Sequence, residues 1–260
     1  MLITLTTDFG LRDPFVGIMK GVIAGISPAA RVIDLTHCLP PQDVMAGALA
    51  LRQSIAYFPR GAIHVAVVDP GVGGARRPLL IECGGNYFVG PDNGVLSLAI
   101  GVLEPGHIVE LSNPLYRLEP ASATFHGRDI FAPAAAYLSL GVPPEAFGPQ
   151  LHTFVKVALP QVRRRGNKFE GQIIYIDTFG NLFTNIEARD LAALENTRCR
   201  IIVGAVHVSG LSPNYAAAAV GEHVAVINSW GLLEIAVNRG SAQQISGAVL
   251  GDNVTVVFDA

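Results

Sequence analysis

The run Ile63-His-Val-Ala-Val-Val68, cut off by Asp69-Pro70, constrains this chain more than any other stretch. It carries no charge and does not alternate, which suits a strand covered on both faces, as in a parallel sheet packed between helices. The neighbouring segments fit that setting. Leu2 to Thr7 and Arg31 to Leu35 are short β-prone runs. Between them Asp13 reads as an N-cap, with Pro14 at the first helical position. Phe15, Ile18, Met19, Val22 and Ile26 then follow at helical spacing and predict an apolar face. Asp43 to Tyr57 predicts a second helix, stopped by Pro59-Arg-Gly61. Leu79 to Cys83 and Tyr87 to Val89 predict strands joined through Gly84-Gly85. Pro91-Asp-Asn-Gly94 is a turn, Val95 to Ile100 opens a helix, and Asp129 to Leu140 is helical, interrupted at Pro133. Such alternation predicts an α/β N-terminal domain with a mostly parallel layered sheet.

The pattern changes after about residue 155. Pro160 to Lys168 is polar and basic, with Gly166-Asn167 as a turn signal. The segments beyond are short and β-rich: Gly171 to Ile176, Phe183 to Ile186, Arg200 to Val203, His223 to Ile227, Leu232 to Val237 and Val254 to Phe258. Only Glu187 to Leu194 reads as helical. The organisation expected is an α/β domain over 1–158, a linker over 159–168, and a smaller, mostly antiparallel β domain over 169–260.

Composition excludes several classes. The formal net charge is −3, and the only basic cluster is Arg163-Arg-Arg165, which argues against nucleic acid as a partner. No apolar run reaches transmembrane length, and the N-terminal residues lack the pattern of a signal peptide, so no membrane partner is expected. Cys38, Cys83 and Cys199 are few, odd in number and widely spaced. They indicate neither a disulfide framework nor a metal site, and a cytoplasmic location is expected.

Acids at the carboxyl ends of the predicted strands carry the functional signal, because ligands of open α/β sheets bind there. Asp8 ends the first strand, Asp34 lies in the second strand region, and Asp69 ends the third. Asp69 opens a loop with Pro70 and glycines at 71, 73 and 74, followed at once by Arg76 and Arg77. Taken alone, the loop equally suits a tight turn with a solvated ion pair. A phosphate-cradling loop fails its context, since Pro78 opens a strand rather than a helix. His126 stands just before a helix start marked by Gly127, Arg128 and Asp129. Asp177 to Asn185 reads as a strand, an Asn/Gly turn and a strand, and Asn228-Ser-Trp-Gly231 as a turn.

Together these motifs resemble one family in order and along nearly the whole chain. They are Thr6-Thr-Asp8-Phe-Gly10, Asp13-Pro-Phe-Val-Gly17, Val68-Asp69-Pro-Gly-Val-Gly73, Pro91-Asp-Asn-Gly94, Thr124-Phe-His-Gly-Arg-Asp129, Phe179-Gly-Asn181 with Thr184-Asn185, and Asn228-Ser-Trp-Gly231. The set is similar to that of the S-adenosylmethionine (SAM) hydroxide adenosyltransferases, relatives of the fluorinase and chlorinase. The resemblance implies hydrolysis of SAM to adenosine and methionine, with SAM as substrate, no cofactor and no metal. It implies a homotrimer with active sites at subunit interfaces. Asp69, Arg76 and His126 match the set that positions the nucleophilic water. Asp8 matches an acid on the ribose hydroxyls and Asn181 an adenosine-contacting amide. Phe179 and Tyr215 match ring contacts, and Asp177 and Ser229 match positions near the methionine amino and carboxylate groups. Glu234 and Val237 belong to the final substrate-binding motif. Halogenating relatives carry a tyrosine in place of Asp69 and Tyr-Ser in place of His126-Gly127, so hydrolysis is favoured. The alternatives are halogenase-type substitution and a non-catalytic adenosine- or SAM-binding protein.

Overall fold

The structure is a computed structural model and describes residues 1–101, 105–191 and 199–258. It divides into two units, Met1–Val157 and Ala158–Ala260. In the first, the elements run β1 (Leu2–Thr7), α1 (Phe15–Ile26), β2 (Arg31–Thr36), α2 (Val44–Ser54), β3 (Ile63–Val67), β4 (Pro78–Cys83), β5 (Asn86–Pro91), α3 (Ser97–Ile100), β6 (Pro105–Glu110) and α4 (Ala132–Ser139). The sheet order is β2-β1-β3-β5-β4-β6. The pairs β1–β2, β1–β3 and β3–β5 are parallel, and β4 adds antiparallel pairs to β5 and β6. The expected α/β unit with a mostly parallel sheet is therefore present.

β3 explains its own sequence. Val65 and Val67 point into a core shared with Met19 and Ile23 of α1 and Ala135 of α4. Ala66 and the following Val68 point into the opposite core with Leu51 of α2 and Ala99 of α3. Both faces are covered, so every residue of the strand is buried. The helix α1 starts one residue later than the sequence implies, with Pro14 rather than Asp13 at the N-cap. Its buried stripe is Val16, Met19 and Ile23, while Phe15 and Ile18 are exposed, which corrects the predicted face. For α2 the N-cap is Asp43, whose side chain accepts from Ala46 N–H at 2.9 Å. Before α4 a wide π-helical turn spans Gly127–Phe131, closed by Ala132 N–H to the carbonyl of Gly127. Pro133 sits in the first turn of α4, where its missing N–H costs little, and so does not interrupt that helix.

The second unit comprises β7 (Arg163–Arg165), β8 (Lys168–Ile176), β9 (Leu182–Glu187), α5 (Ala188–Leu191), β10 (Cys199–Val203), β11 (Val206–Ser209), β12 (His223–Ile227), β13 (Leu232–Val237), α6 (Ala242–Ser246) and β14 (Asn253–Phe258). All pairings among its described residues are antiparallel, in the order β11-β10-β14-β8-β9-β13-β12, with β7 on β8. The expected antiparallel β unit is thus present. The basic stretch read as linker contains β7, whose three exposed arginines pair with Lys168, Phe169 and Glu170. The predicted helix from Glu187 to Leu194 is a single turn, Ala188–Leu191, and residues 192–194 lie outside the described residues. α6 was not expected; Ser241 caps it and Gly247, at φ 70°, ends it. Among the described residues no helix is long and apolar enough to cross a membrane.

Candidate active site

Each unit carries a cleft. In the first unit it has a volume of about 410 Å³ and lies beyond the carboxyl ends of β1 and β3. Asp8, Asp69 and His126 line it. After β3 the chain makes two tight turns, with Val72 N–H bonded to the Asp69 carbonyl and Gly74 N–H to that of Gly71. Gly73 lies at φ 74°, and a β-carbon there would overlap the Ala123 carbonyl oxygen, so only glycine lets this loop pack on the segment before His126. The turns fold Arg76 back onto Asp69. Its Nε donates to both carboxylate oxygens at 3.0 Å and its Nη2 to Oδ2 at 2.5 Å. The two side chains are 9% and 5% exposed, which makes this a buried rather than a solvated ion pair.

Arg76 Nη2 also lies 2.5 Å from His126 Nδ1. A guanidinium only donates, so Nδ1 accepts and the imidazole is neutral, with its proton on Nε2. Burial, then the charge of Arg76, holds the His126 pKa below its ordinary value. The guanidinium further packs over the Phe131 ring, 5.5 Å from its centre. Arg77 serves the fold instead: it bonds Asp92 through Nε at 2.8 Å and Nη2 at 2.5 Å, and the Thr153 carbonyl at 2.9 Å. The turn Pro91 to Gly94 is likewise a brace, since Asn93 Nδ2 donates to the carbonyl of Val68 at 2.8 Å. Phe9, Phe15 and Phe125 form an edge-to-face cluster beside the cleft. A β-carbon on Gly127 would stand 3.2 Å from Met19 Sδ, 3.3 Å from Phe125 and 3.4 Å from Phe9.

Asp8 is held from behind. Thr7 Oγ1 accepts from Phe9 N–H at 3.2 Å and meets His37 Nδ1 at 2.8 Å, while Gly10 N–H donates to the His37 carbonyl at 2.7 Å. One Asp8 oxygen accepts from Gln42 N–H at 2.7 Å, with Gln42 at φ 66°. Gln42 was not singled out in the sequence, and the three phenylalanines were read only as helix-face or motif residues, not as part of the site. A Pro-Pro pair just before the Asp43 cap was the signal for an unusual turn at Gln42.

The second cleft, about 710 Å³, lies wholly in the C-terminal unit and is lined by Asp177, Phe179, Asn181, Tyr215, Ser229, Glu234 and Val237. All seven residues singled out in this half of the chain therefore meet. Asp177 shapes the turn after β8: Oδ1 accepts from the N–H groups of Phe179 and Asn181, and Oδ2 from the Asn181 amide, each at 2.9 Å. Gly180, at φ 80°, packs so tightly on Ser241 that no side chain fits. The turn leaves Phe179 76% exposed at the edge of the cleft. Glu234 is fully buried on β13 and accepts from the Tyr215 hydroxyl at 2.8 Å. Burial raises its pKa, with Tyr215 and Asn228 pulling the other way. Burial and Glu234 push the Tyr215 hydroxyl up to about 12. Asn238, Arg239 and Ser241 also line the cleft and were not anticipated; Arg239, at φ 56°, is a non-glycine in the left-handed region. Among the described residues no cluster of three or more His, Cys, Asp or Glu could hold a metal ion.

Known proteins resemble this chain along nearly its whole length. The chain is 41% identical over 248 residues to a protein of Thermus thermophilus named (R)-S-adenosyl-L-methionine hydrolase, covering 93% of each. It is 28% identical over 290 residues to a fluorinase of an Actinoplanes species, covering 98% of this chain and 97% of the fluorinase. The crystal structure of an uncharacterized conserved protein from Thermotoga maritima superimposes with a TM-score of 0.92 at 34% identity, covering 99% of this chain and 100% of that one. Residues 3–148 match the SAM hydroxide adenosyltransferase N-terminal domain and residues 171–255 the C-terminal domain of the same family, which places one cleft in each matched domain. The chain belongs to the SAM hydroxide adenosyltransferase family.

Proposed function

We propose that this protein hydrolyses SAM to adenosine and L-methionine, with water or hydroxide displacing the thioether from ribose C5′. The observation that carries the proposal is the buried Asp69–Arg76–His126 group at the wall of the first cleft. The water oxygen bonds to C5′, the C5′–S bond breaks, and its electron pair passes to sulfur. The leaving group is a neutral thioether, so it needs no protonation and no metal activation. What needs help is the nucleophile.

Asp69 lines the cleft and, though bonded to Arg76, keeps lone pairs that orient the water and take its proton. Arg76 engages both oxygens of that acid and so fixes its orientation for positioning the water. His126, neutral with its proton on Nε2, is a donor that steadies the oxygen rather than a base. Asp8 holds the ribose hydroxyls. Phe179, Tyr215, Asn181, Glu234 and Val237 receive the adenosine, and Asp177 and Ser229 the methionine end. The protein acts as a cytoplasmic homotrimer in which the first-unit cleft of one subunit works with the second-unit cleft of another.

Hydrolysis is favoured over halide transfer by two features. A carboxylate at Asp69 repels a halide, and Gly127 offers no hydroxyl to hold one. The (R) label in the hydrolase relative's name makes the (R)-sulfonium epimer the substrate to test beside the (S) epimer. Each is incubated with the protein, with and without chloride or fluoride, and separated by chromatography. Adenosine and methionine in equal amounts, with or without halide, are expected. Unchanged SAM of both epimers, or a halogenated nucleoside, sinks the proposal.

A further inference from the structure

The two backbone amides that follow Asp8 both lead to one residue. Phe9 N–H donates to Thr7 Oγ1 at 3.2 Å, and that hydroxyl meets His37 Nδ1 at 2.8 Å. Gly10 N–H donates to the His37 carbonyl at 2.7 Å. His37 therefore grips the chain on each side of the acid. The protons of this series run in one direction. Thr7 Oγ1 already accepts from Phe9, so its own proton goes to Nδ1, and a neutral ring then carries its proton on Nε2. Nε2 lies 3.0 Å from Asp34 Oδ1, off the line of a hydrogen bond but close enough for charge attraction. The other Asp34 oxygen accepts from Lys20 Nζ, on α1, at 2.6 Å.

Thr7 and His37 are buried, whereas the side chains of Asp34 and Lys20 are 37% and 40% exposed. An ion pair this open adds little to stability. A buried imidazole packs no better than an apolar ring, and it carries a desolvation penalty unless its nitrogens are used. What the series does supply is a fixed orientation for Asp8 in the first cleft, whose carboxylate also accepts from Gln42 N–H at 2.7 Å. We propose that His37 is a positioning residue for ribose recognition. Through Thr7 it aims Asp8 at the vicinal diol, and Asp34 with Lys20 keeps the imidazole turned for that work. This inference rests on the reading of Asp8 as the acid that holds the ribose hydroxyls.

The test compares adenosine with 2′,3′-dideoxyadenosine by calorimetry on the full chain, alongside the kinetics of SAM hydrolysis. The wild type should favour adenosine by at least about tenfold, and Asp8→Ala should erase that preference. His37→Leu should bring the two nucleosides within about threefold and raise KM for SAM by about tenfold, with a smaller change in kcat. His37→Asn sets an amide oxygen where Nδ1 stands and should restore most of the preference. Asp34→Asn alters only the solvent-facing end of the series and should narrow the preference by about threefold. Asp8→Ala combined with His37→Leu should lose no more adenosine affinity than Asp8→Ala alone, because both act on one contact. An undiminished preference in His37→Leu, or in Asp34→Asn should the buried variant fail to fold, overturns the inference. So do additive losses in the double variant, or a His37→Leu defect confined to kcat. A wild type that hydrolyses SAM yet binds both nucleosides equally overturns the inference and leaves hydrolysis standing. A wild type that neither hydrolyses SAM nor binds adenosine overturns it together with the hydrolase reading.

Discussion

Arg76 divides one guanidinium between a carboxylate and an imidazole, and that division sets the chemistry open to each. Lysine supplies a charge but not a planar fork, so Arg76→Lys should lose the His126 contact and cut kcat by at least about tenfold, with rescue by neither pH nor salt. Asp69→Asn removes the proton acceptor and should lower kcat by about 10²- to 10⁴-fold in a chromatographic assay, with a smaller change in KM. The pH dependence follows from His126. Its pKa lies below the ordinary 6.5, so the neutral form persists through neutrality. Protonation would place an N–H on Nδ1 against the guanidinium. Activity should therefore be level across pH 7 and fall only below about 6.5. An acid limb centred above 7 in the kcat/KM profile would contradict the Nε2–H tautomer. The acid and the histidine were legible in the sequence because each ends or begins an element. The choice of Arg76 over Arg77 was not legible from composition: it depends on which neighbour turns back onto Asp69 as the chain enters β4, and Asp92 claims the other.

At the scale of elements, uninterrupted apolar runs were legible. Leu2–Thr7, His223–Ile227 and Leu232–Val237 have the bounds their sequences suggest. β6, β7 and β11 went unread for separate reasons. β6 opens on Pro-Gly, β7 is three arginines whose side chains all stay in solvent, and β11 has only four residues. Their pairing partners, not their composition, make them strands. β3 carries an unusual passenger in His64, wholly buried, hydrogen-bonded to Thr4 Oγ1 at 2.9 Å and stacked on Phe88. Burial lowers its pKa from 6.5 to about 4. The unfolded chain thus binds a proton that the folded one refuses between those values, and stability is lost as pH falls through that window. The loss should amount to about 3 kcal/mol, measured as a drop in urea midpoint from pH 7 to pH 4. His64→Gln should start less stable and show a flatter profile. The loop after β3 makes a second prediction. Gly73→Ala sets a β-carbon against the Ala123 carbonyl at a positive φ, and should lower both the melting temperature and kcat, because it pushes Asp69 and His126 apart.

At the scale of the whole molecule, the chain divides its candidate binding groups between two units, each with its own cleft. Asp69, Arg76 and His126 fall in Met1–Val157, and Phe179, Asn181 and Tyr215 in Ala158–Ala260. If the two act together across subunits, mixing an Asp69→Ala chain with an Asn181→Ala chain and letting them exchange should restore activity that neither has alone. Light scattering should report three chain masses. Absence of recovery from a demonstrably mixed oligomer would assign both clefts to a single chain's own site. Gly127 bears on how such a protein changes its reaction over generations. Any residue with a hydroxyl at this position brings a β-carbon 3.2 Å from the sulfur of Met19, itself sealed in the core, and 3.3 Å from Phe125. The mutant pays about 1–3 kcal/mol in overpacking before it gains a new contact. On this scaffold a hydroxyl at position 127 has to be accommodated by a shift of Met19, Phe125 or Phe9, so Gly127→Ser should lower the melting temperature, and a smaller residue at Met19 should restore it.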